Sequence, residues 1–187
     1  DAFLHNRLSS YTQRVSIQSD GSQIAGESNA AKVTPSGRTV VFTSQAENQI
    51  NANNPQSSIL SHNRLIPRTM QIPDTGNGVE PDTSTGGQWI AFRLPNDPES
   101  NHHVYVYDQL NDSTYTARFP VPLTQHAIAN NGKHIAAVGA AIDGRNFNLY
   151  WHNIDSGETI ELVKGVSDMR PDISGNGNFV AFVQEIN

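Results

Sequence analysis

The chain has 187 residues with 12 Lys and Arg against 18 Asp and Glu, a formal net charge of −6, only 16% charged residues and no Cys. Nucleic acid is not expected as a partner without a cationic footprint, and no apolar run is long enough for membrane insertion. The lack of cysteine excludes disulfides, thiolate catalysis and zinc–thiolate sites, while abundant Gly, Ser, Thr and Asn favour β-structure with polar turns over long helices.

A first residue other than Met is what a mature or excised piece would show. The chain opens on two short strands, Ala2–Leu8 and Thr12–Ser16, with no partner strands ahead of them. A polar turn ending in Gly37 then separates a short strand from the apolar run Thr39–Phe42, which reads as a β-hairpin whose glycine takes a positive φ. A connector from Gln45 to Ser57, rich in Asn and Gln, leads to two further strands around Ile59–Leu65 and Arg68–Ile72. Long loops on rigid scaffolds often contact partners.

The same succession returns three times. Pro81–Phe92 turns at Gly87 and is followed by Val104–Leu110 and Thr114–Ala117. His126–Ala137 turns at Gly132 and is followed by Leu149–Ile154 and Glu158–Leu162. Pro171–Phe182 turns at Gly177, and the chain ends with no outer strands after it. The period is about 46 residues, and four strands in such a period are the blade signature of a propeller.

The expected fold is all-β: a β-propeller of four blades, each of four antiparallel strands, in one domain over residues 1–187. The repeats run about 29–73, 79–118, 124–163, and 168–187 completed by 1–17. Counting from Gly177 through the chain end to Gly37 gives nearly the same period, which is the arithmetic of ring closure. One chain closing a four-bladed ring, with Ala2 to Asn6 beside Phe179 to Gln184, is the favoured reading. Two copies joining into an eight-bladed ring, a homodimer, would bury the same edge.

The pairs Pro81-Asp82 and Pro171-Asp172, with Ser84 and Ser174 behind them, resemble the TolB-type, WD-like propeller repeats of bacterial secreted and periplasmic proteins. Ala31-Lys32 and His126-Ala127 depart from the Pro-Asp pair, and Asn6, Asn63 and Asn153 stand where that pattern has Asp. The resemblance implies a periplasmic or extracellular setting. It also gives Pro81, Asp82, Pro171, Asp172, Gly37, Gly87, Gly132 and Gly177 a structural role.

Histidines are the natural place to look for a metal. His5, His62 and His152 occupy one repeat position, filled by Tyr107 in the remaining unit, and are expected to be structural, one per blade. His134 aligns with Trp89 and Phe179 as a packing residue, and His102-His103, near Asp97 and Glu99, point to opposite faces of a strand. No cofactor is expected, with calcium in connectors such as Asp143-Gly144 left open by their oxygen ligands. Motifs for serine hydrolases, zincins and phosphate loops are absent.

The first strand of a blade lines the central channel, so the residues at its start converge at one mouth. There the repeats place Ala30, Glu80, Gln125 and Arg170, followed by Ala31, Pro81, His126 and Pro171. Glu80, Gln125, His126 and Arg170 are the candidate ligand-binding residues, a Glu80–Arg170 salt bridge on an ordinary solvated rim being the plainer account. The expectation is a non-catalytic scaffold that binds a protein or glycan. The alternatives are the propeller part of a secreted glycan-processing or peptidase enzyme, and a structural assembly module.

Overall fold

The computed structural model describes residues 1–45, 57–95, 100–141 and 146–184. Residues 46–56 of the Asn- and Gln-rich connector, Asp97 with Glu99, and Asp143-Gly144 fall outside them. By internal contacts the chain divides into two units, Asp1–Pro81 and Asp82–Asn187. Among the described residues no helix is long and apolar enough to cross a membrane.

In the first unit, β1 (Phe3–Asn6) and β2 (Tyr11–Arg14) form one antiparallel pair. Then β3 (Ser28–Val33), β4 (Thr39–Ser44), β5 (Ser58–Asn63) and β6 (Arg68–Gln71) form a four-stranded sheet in chain order. Strand β7 (Val79–Thr83) crosses the division and joins β8 (Trp89–Arg93), β9 (His103–Asp108) and β10 (Ser113–Arg118) in the next sheet. A third sheet holds β11 (Leu123–Ile128), β12 (His134–Ala140), β13 (Phe147–Asn153) and β14 (Thr159–Val166). The last pair is β15 (Asp172–Ile173) with β16 (Val180–Ala181).

All-β architecture and blade-like sheets thus follow the repeats read from sequence. In the four-stranded sheets the second strand, TVVFTS in β4 or HIAAVGA in β12, is rich in β-branched and small apolar residues because it is paired on both sides and covered on both faces. The outermost strands are polar and largely exposed, as in STYTAR of β10. The turn glycines adopt positive φ, from 66° at Gly37 to 79° at Gly177. At Gly132 a Cβ would lie 2.1 Å from Trp89 Cδ2, so the indole of the preceding sheet occupies the space a side chain would need.

Outer strands turn on one device. Asn6, Asn63, Asp108 and Asn153 each accept the backbone N–H two residues on, at 2.9, 3.0, 2.9 and 2.9 Å. The amide oxygen does what the carboxylate does in such turns, which is why Asn can stand for Asp here.

The repeated histidines are structural. His5, His62 and His152 each face a threonine seven residues on, Thr12, Thr69 and Thr159, at 2.8 Å. Thr69 donates onward to the Ile17 carbonyl, and Thr159 to the Arg118 carbonyl at 2.9 Å. A hydroxyl that donates to a carbonyl must accept from the ring, so His62 and His152 carry their proton on Nδ1. Where Tyr107 replaces the histidine, its hydroxyl donates to Asp112 at 2.7 Å instead.

One expectation changes. Among the described residues no ladder joins Ala2–Asn6 to Phe179–Gln184, and the two end pairs stand as separate two-stranded sheets.

Within the second unit the main core lies between two successive sheets. It joins Ala91, Val104, Val106 and Ala117 to Leu123, Ile128, Ile135, Ala137 and Tyr150, with Phe119 and Val121 from the connector. A smaller cluster continues it from Ala127, Ala129 and Ala136 to Ile173. In the first unit Ala2, Val15 and Ile24 cover Val40, Phe42 and Leu60 in the same manner.

Candidate functional site

The first strands β3, β7 and β11 are irregular at their starts, which aims their side chains. Strand β3 shifts register between Asn29 and Lys32, and β11 between Leu123 and Gln125. Ala30 and Glu80, at equivalent positions, take left-handed φ values of 50° and 53°. Such bulges re-aim a side chain at a cost of about 1–2 kcal/mol of backbone strain for a residue with a Cβ.

The four candidates lie at three places along the chain, on β7, on β11 and just ahead of β15. Glu80 lies on the part of β7 that belongs to the first unit. Gln125 and His126 are neighbours on β11 and so face opposite sides of the sheet. His126 and Arg170 come together in the second unit, with two residues that sequence reasoning gave no site role, Asp82 on β7 and Arg93 at the end of β8.

Asp82 ties three successive repeats together. One oxygen accepts the Ile128 amide of β11 at 3.1 Å, and the other pairs with Arg170 Nη2 at 2.6 Å, just ahead of β15. Arg170 therefore holds Asp82, two residues beyond the Glu80 of the expected bridge. Arg93, 6% exposed, donates through Nη1 to the Leu123 carbonyl and through Nη2 to the Thr124 carbonyl at 2.7 Å. Its guanidinium satisfies the carbonyls that the bulge in β11 takes out of the ladder.

His126 lies beneath this layer, 2% exposed, so the residue expected at an accessible mouth is a buried one. A strand side chain that turns away from solvent here enters the space between sheets. Burial pushes the imidazole down to about 4, the Asp82 carboxylate opposes the shift, Arg93 and Arg170 add to it, and the Ala91 carbonyl counters slightly. The ring is neutral at pH 7. Neither ring nitrogen has a hydrogen-bond partner of good geometry.

Arg93 and Arg170 bring two guanidiniums close to the Asp82 carboxylate, in a chain of net charge −6. The Arg170 side chain is 31% exposed against 14% for Asp82, so it is the part of the cluster a ligand reaches. A fixed guanidinium recognises carboxylates. General-base catalysis would need a nucleophile hydrogen-bonded to the imidazole, and His126 lacks that partner. Among the described residues no group of three His, Asp or Glu is placed to hold a metal. The signal for Arg93 was present in WIAFR, a charge closing an otherwise apolar central strand.

No family model matches the sequence, and no curated protein does. Solved structures do. TolB from Acinetobacter baumannii superposes with a TM-score of 0.68 at 19% identity, over 99% of this chain and 43% of its own. The β-propeller domain of the Trilobed protease from Pyrococcus furiosus, which has an open velcro topology, gives 0.57 at 18% identity, over 73% of this chain and 42% of its own. A putative TolB from Agrobacterium tumefaciens gives 0.52 at 15% identity, over 85% of this chain and 60% of its own. The chain spans less than half the length of the first of these. The fold is that of the TolB-type β-propellers.

Proposed function

We propose that this chain is a non-catalytic propeller scaffold that binds a protein partner, taking a carboxylate of that partner on Arg170. The Asp82–Arg170 pair carries the reading. Asp82 is held by the β11 backbone and fixes the guanidinium from below, Arg93 and neutral His126 fill the layer beneath, and Arg170 keeps an outer face toward solvent. A fixed guanidinium with an outer face toward solvent favours acidic groups on a partner over basic ones.

The TolB-type fold supports a binding role, and the setting it suggests is the periplasm. The runner-up, the propeller part of a secreted peptidase, rests on the likeness to the Trilobed protease propeller and to other peptidases of similar fold. The two end hairpins are read as halves of a fourth blade, joined within one chain or between two. Light scattering separates these, a mass near 20.4 kDa favouring the first and twice that favouring the second.

Immobilised full-length chain is used to capture proteins from a bacterial envelope extract, beside Arg170→Lys and Arg170→Glu variants. Capture should be retained in part by the lysine variant, abolished by the glutamate variant, and weakened by salt. Capture indifferent to the charge at position 170 would overturn the reading.

A further inference from the structure

The outer strands of the third blade carry a second feature. Strand β13 pairs with β14 so that His152 faces Thr159, Tyr150 faces Glu161 and Asn148 faces Lys164. Alternation along β13 puts Asn148, Tyr150 and His152 on one face. His152–Thr159 is the structural pair found in other repeats. The positions above it vary: where this blade has Asn148, Tyr150 and Glu161, the first blade has Ser58, Leu60 and Gln71, and the second has His103, Tyr105 and Thr116, so the tyrosine recurs once and the Asn–Glu pair does not recur. A constant pair serves the scaffold, and varied residues on the same face are free to serve something else.

These residues form a built cluster. Glu161 Oε2 accepts from Asn148 Nδ2 at 3.0 Å and from the Tyr150 hydroxyl at 3.3 Å, while Oε1 pairs with Lys164 at 3.4 Å. Asn148 is 7% and Tyr150 2% exposed, so two buried donors orient a carboxylate whose side chain stays 34% exposed. Gly165 N–H holds the amide oxygen of Asn148 at 3.3 Å. The connector Phe119–Pro120–Val121 forms the opposite wall, with the Phe119 ring 6.3 Å from Tyr150 and 5.5 Å from His152. Two adjoining depressions of about 470 and 450 Å³ share Pro120, Tyr150 and Glu161. Such volumes are within the ordinary range for small-molecule sites, roughly 300–1,000 Å³.

We propose that this groove binds a neutral sugar unit, with its hydroxyls on Glu161, which Asn148 and Tyr150 hold in place, and its apolar C–H face on Pro120 and Phe119. The mixture of groups selects the ligand. Arg118 and Lys164 flank Glu161, so signs alternate and neither a free cation nor a free anion meets a field of one sign. The Glu161 carboxylate, oriented by the buried Asn148 and Tyr150, accepts from hydroxyls while Lys164 and Arg118 beside it donate to them, and the proline edge covers ring carbons. The site is separate from Arg170 and does not depend on the reading above.

The intact chain is titrated with N,N′-diacetylchitobiose and with maltose, followed by saturation-transfer NMR and calorimetry. Methylguanidinium and inorganic phosphate serve as ionic probes. At least one disaccharide should bind, and Glu161→Gln, which keeps the shape and one acceptor, should weaken it about tenfold. Circular dichroism and thermal melting of the variant establish that the fold is kept, and Asn148→Ser, the residue of the first blade, provides a second variant with the same expected loss. Silence from both disaccharides, preference for either ionic probe, or sugar affinity unchanged in both variants would overturn the proposal.

Discussion

Hairpins β11–β12 and β15–β16 have the same turn chemistry and the same register, Ile128 facing Ile135 in one and Ile173 facing Val180 in the other. Yet β12 runs for seven residues with Ile135 to Val138 wholly buried, whereas β16 runs for two and Phe179 is 74% exposed. The difference lies in what stands beside them. Strand β12 has β13 on its far edge and a sheet against its face, while among the described residues β16 has no third strand and only Val180 packs in part against the preceding sheet. Turn residues start a hairpin; pairing on the second edge extends it.

The largest effect should come from the residue that this cover buries most. Ile135→Ala is expected to cost about 3–4 kcal/mol, since it opens a cavity between two sheets, while Val180→Ala at the matching position should cost less than about 1 kcal/mol. Urea denaturation of both variants measures this. Equal costs would break the comparison, and would mean that the last hairpin is covered in solution.

Next is pH. His126 sits on β11 where β15 has Pro171 ahead of it, so only the covered hairpin buries a titrating group. Its folded value, lowered to about 4, lies below the unfolded 6.5, so the unfolded chain binds the extra proton across that window. Stability is therefore full above about pH 6.5 and falls as pH drops toward 4, by about 3 kcal/mol in all. His126→Leu should flatten that slope in denaturation curves taken from pH 7 to 4. A slope unchanged in the variant would assign the loss to other groups.

The smallest effect separates covered and uncovered copies of one motif. His152 is 4% exposed and bonded to a threonine that reaches the neighbouring sheet, so His152→Ala should cost about 1–2 kcal/mol. His5 makes the same 2.8 Å bond at the surface, and His5→Ala should stay within about 0.5 kcal/mol. Thermal melting of both reads the difference. Matching losses would show that the first hairpin, too, has a neighbour in solution.

Much of this architecture is written locally. The glycines at Gly37, Gly87, Gly132 and Gly177, the Asn or Asp that turns each outer pair, and the apolar second strands are each legible from neighbours in sequence. The reason is that φ preference, side-chain capping and period-two burial act over a few residues. The histidine at positions 5, 62 and 152 was likewise legible as structural from its recurrence alone.

Long-range partners were not. That Arg170 pairs with Asp82, that Arg93 serves the bulge in β11, that His126 is sealed rather than open, and that Asn148, Tyr150 and Glu161 share one groove all depend on residues 11 to 88 positions apart in the chain, Tyr150 with Glu161 the nearest and Asp82 with Arg170 the farthest. No local pattern encodes such distances. Sequence alone determined which segments become strands and where they turn; the stacking of one sheet on the next decided which side chains meet, because burial and pairing are set by the surface opposite and not by the residue itself.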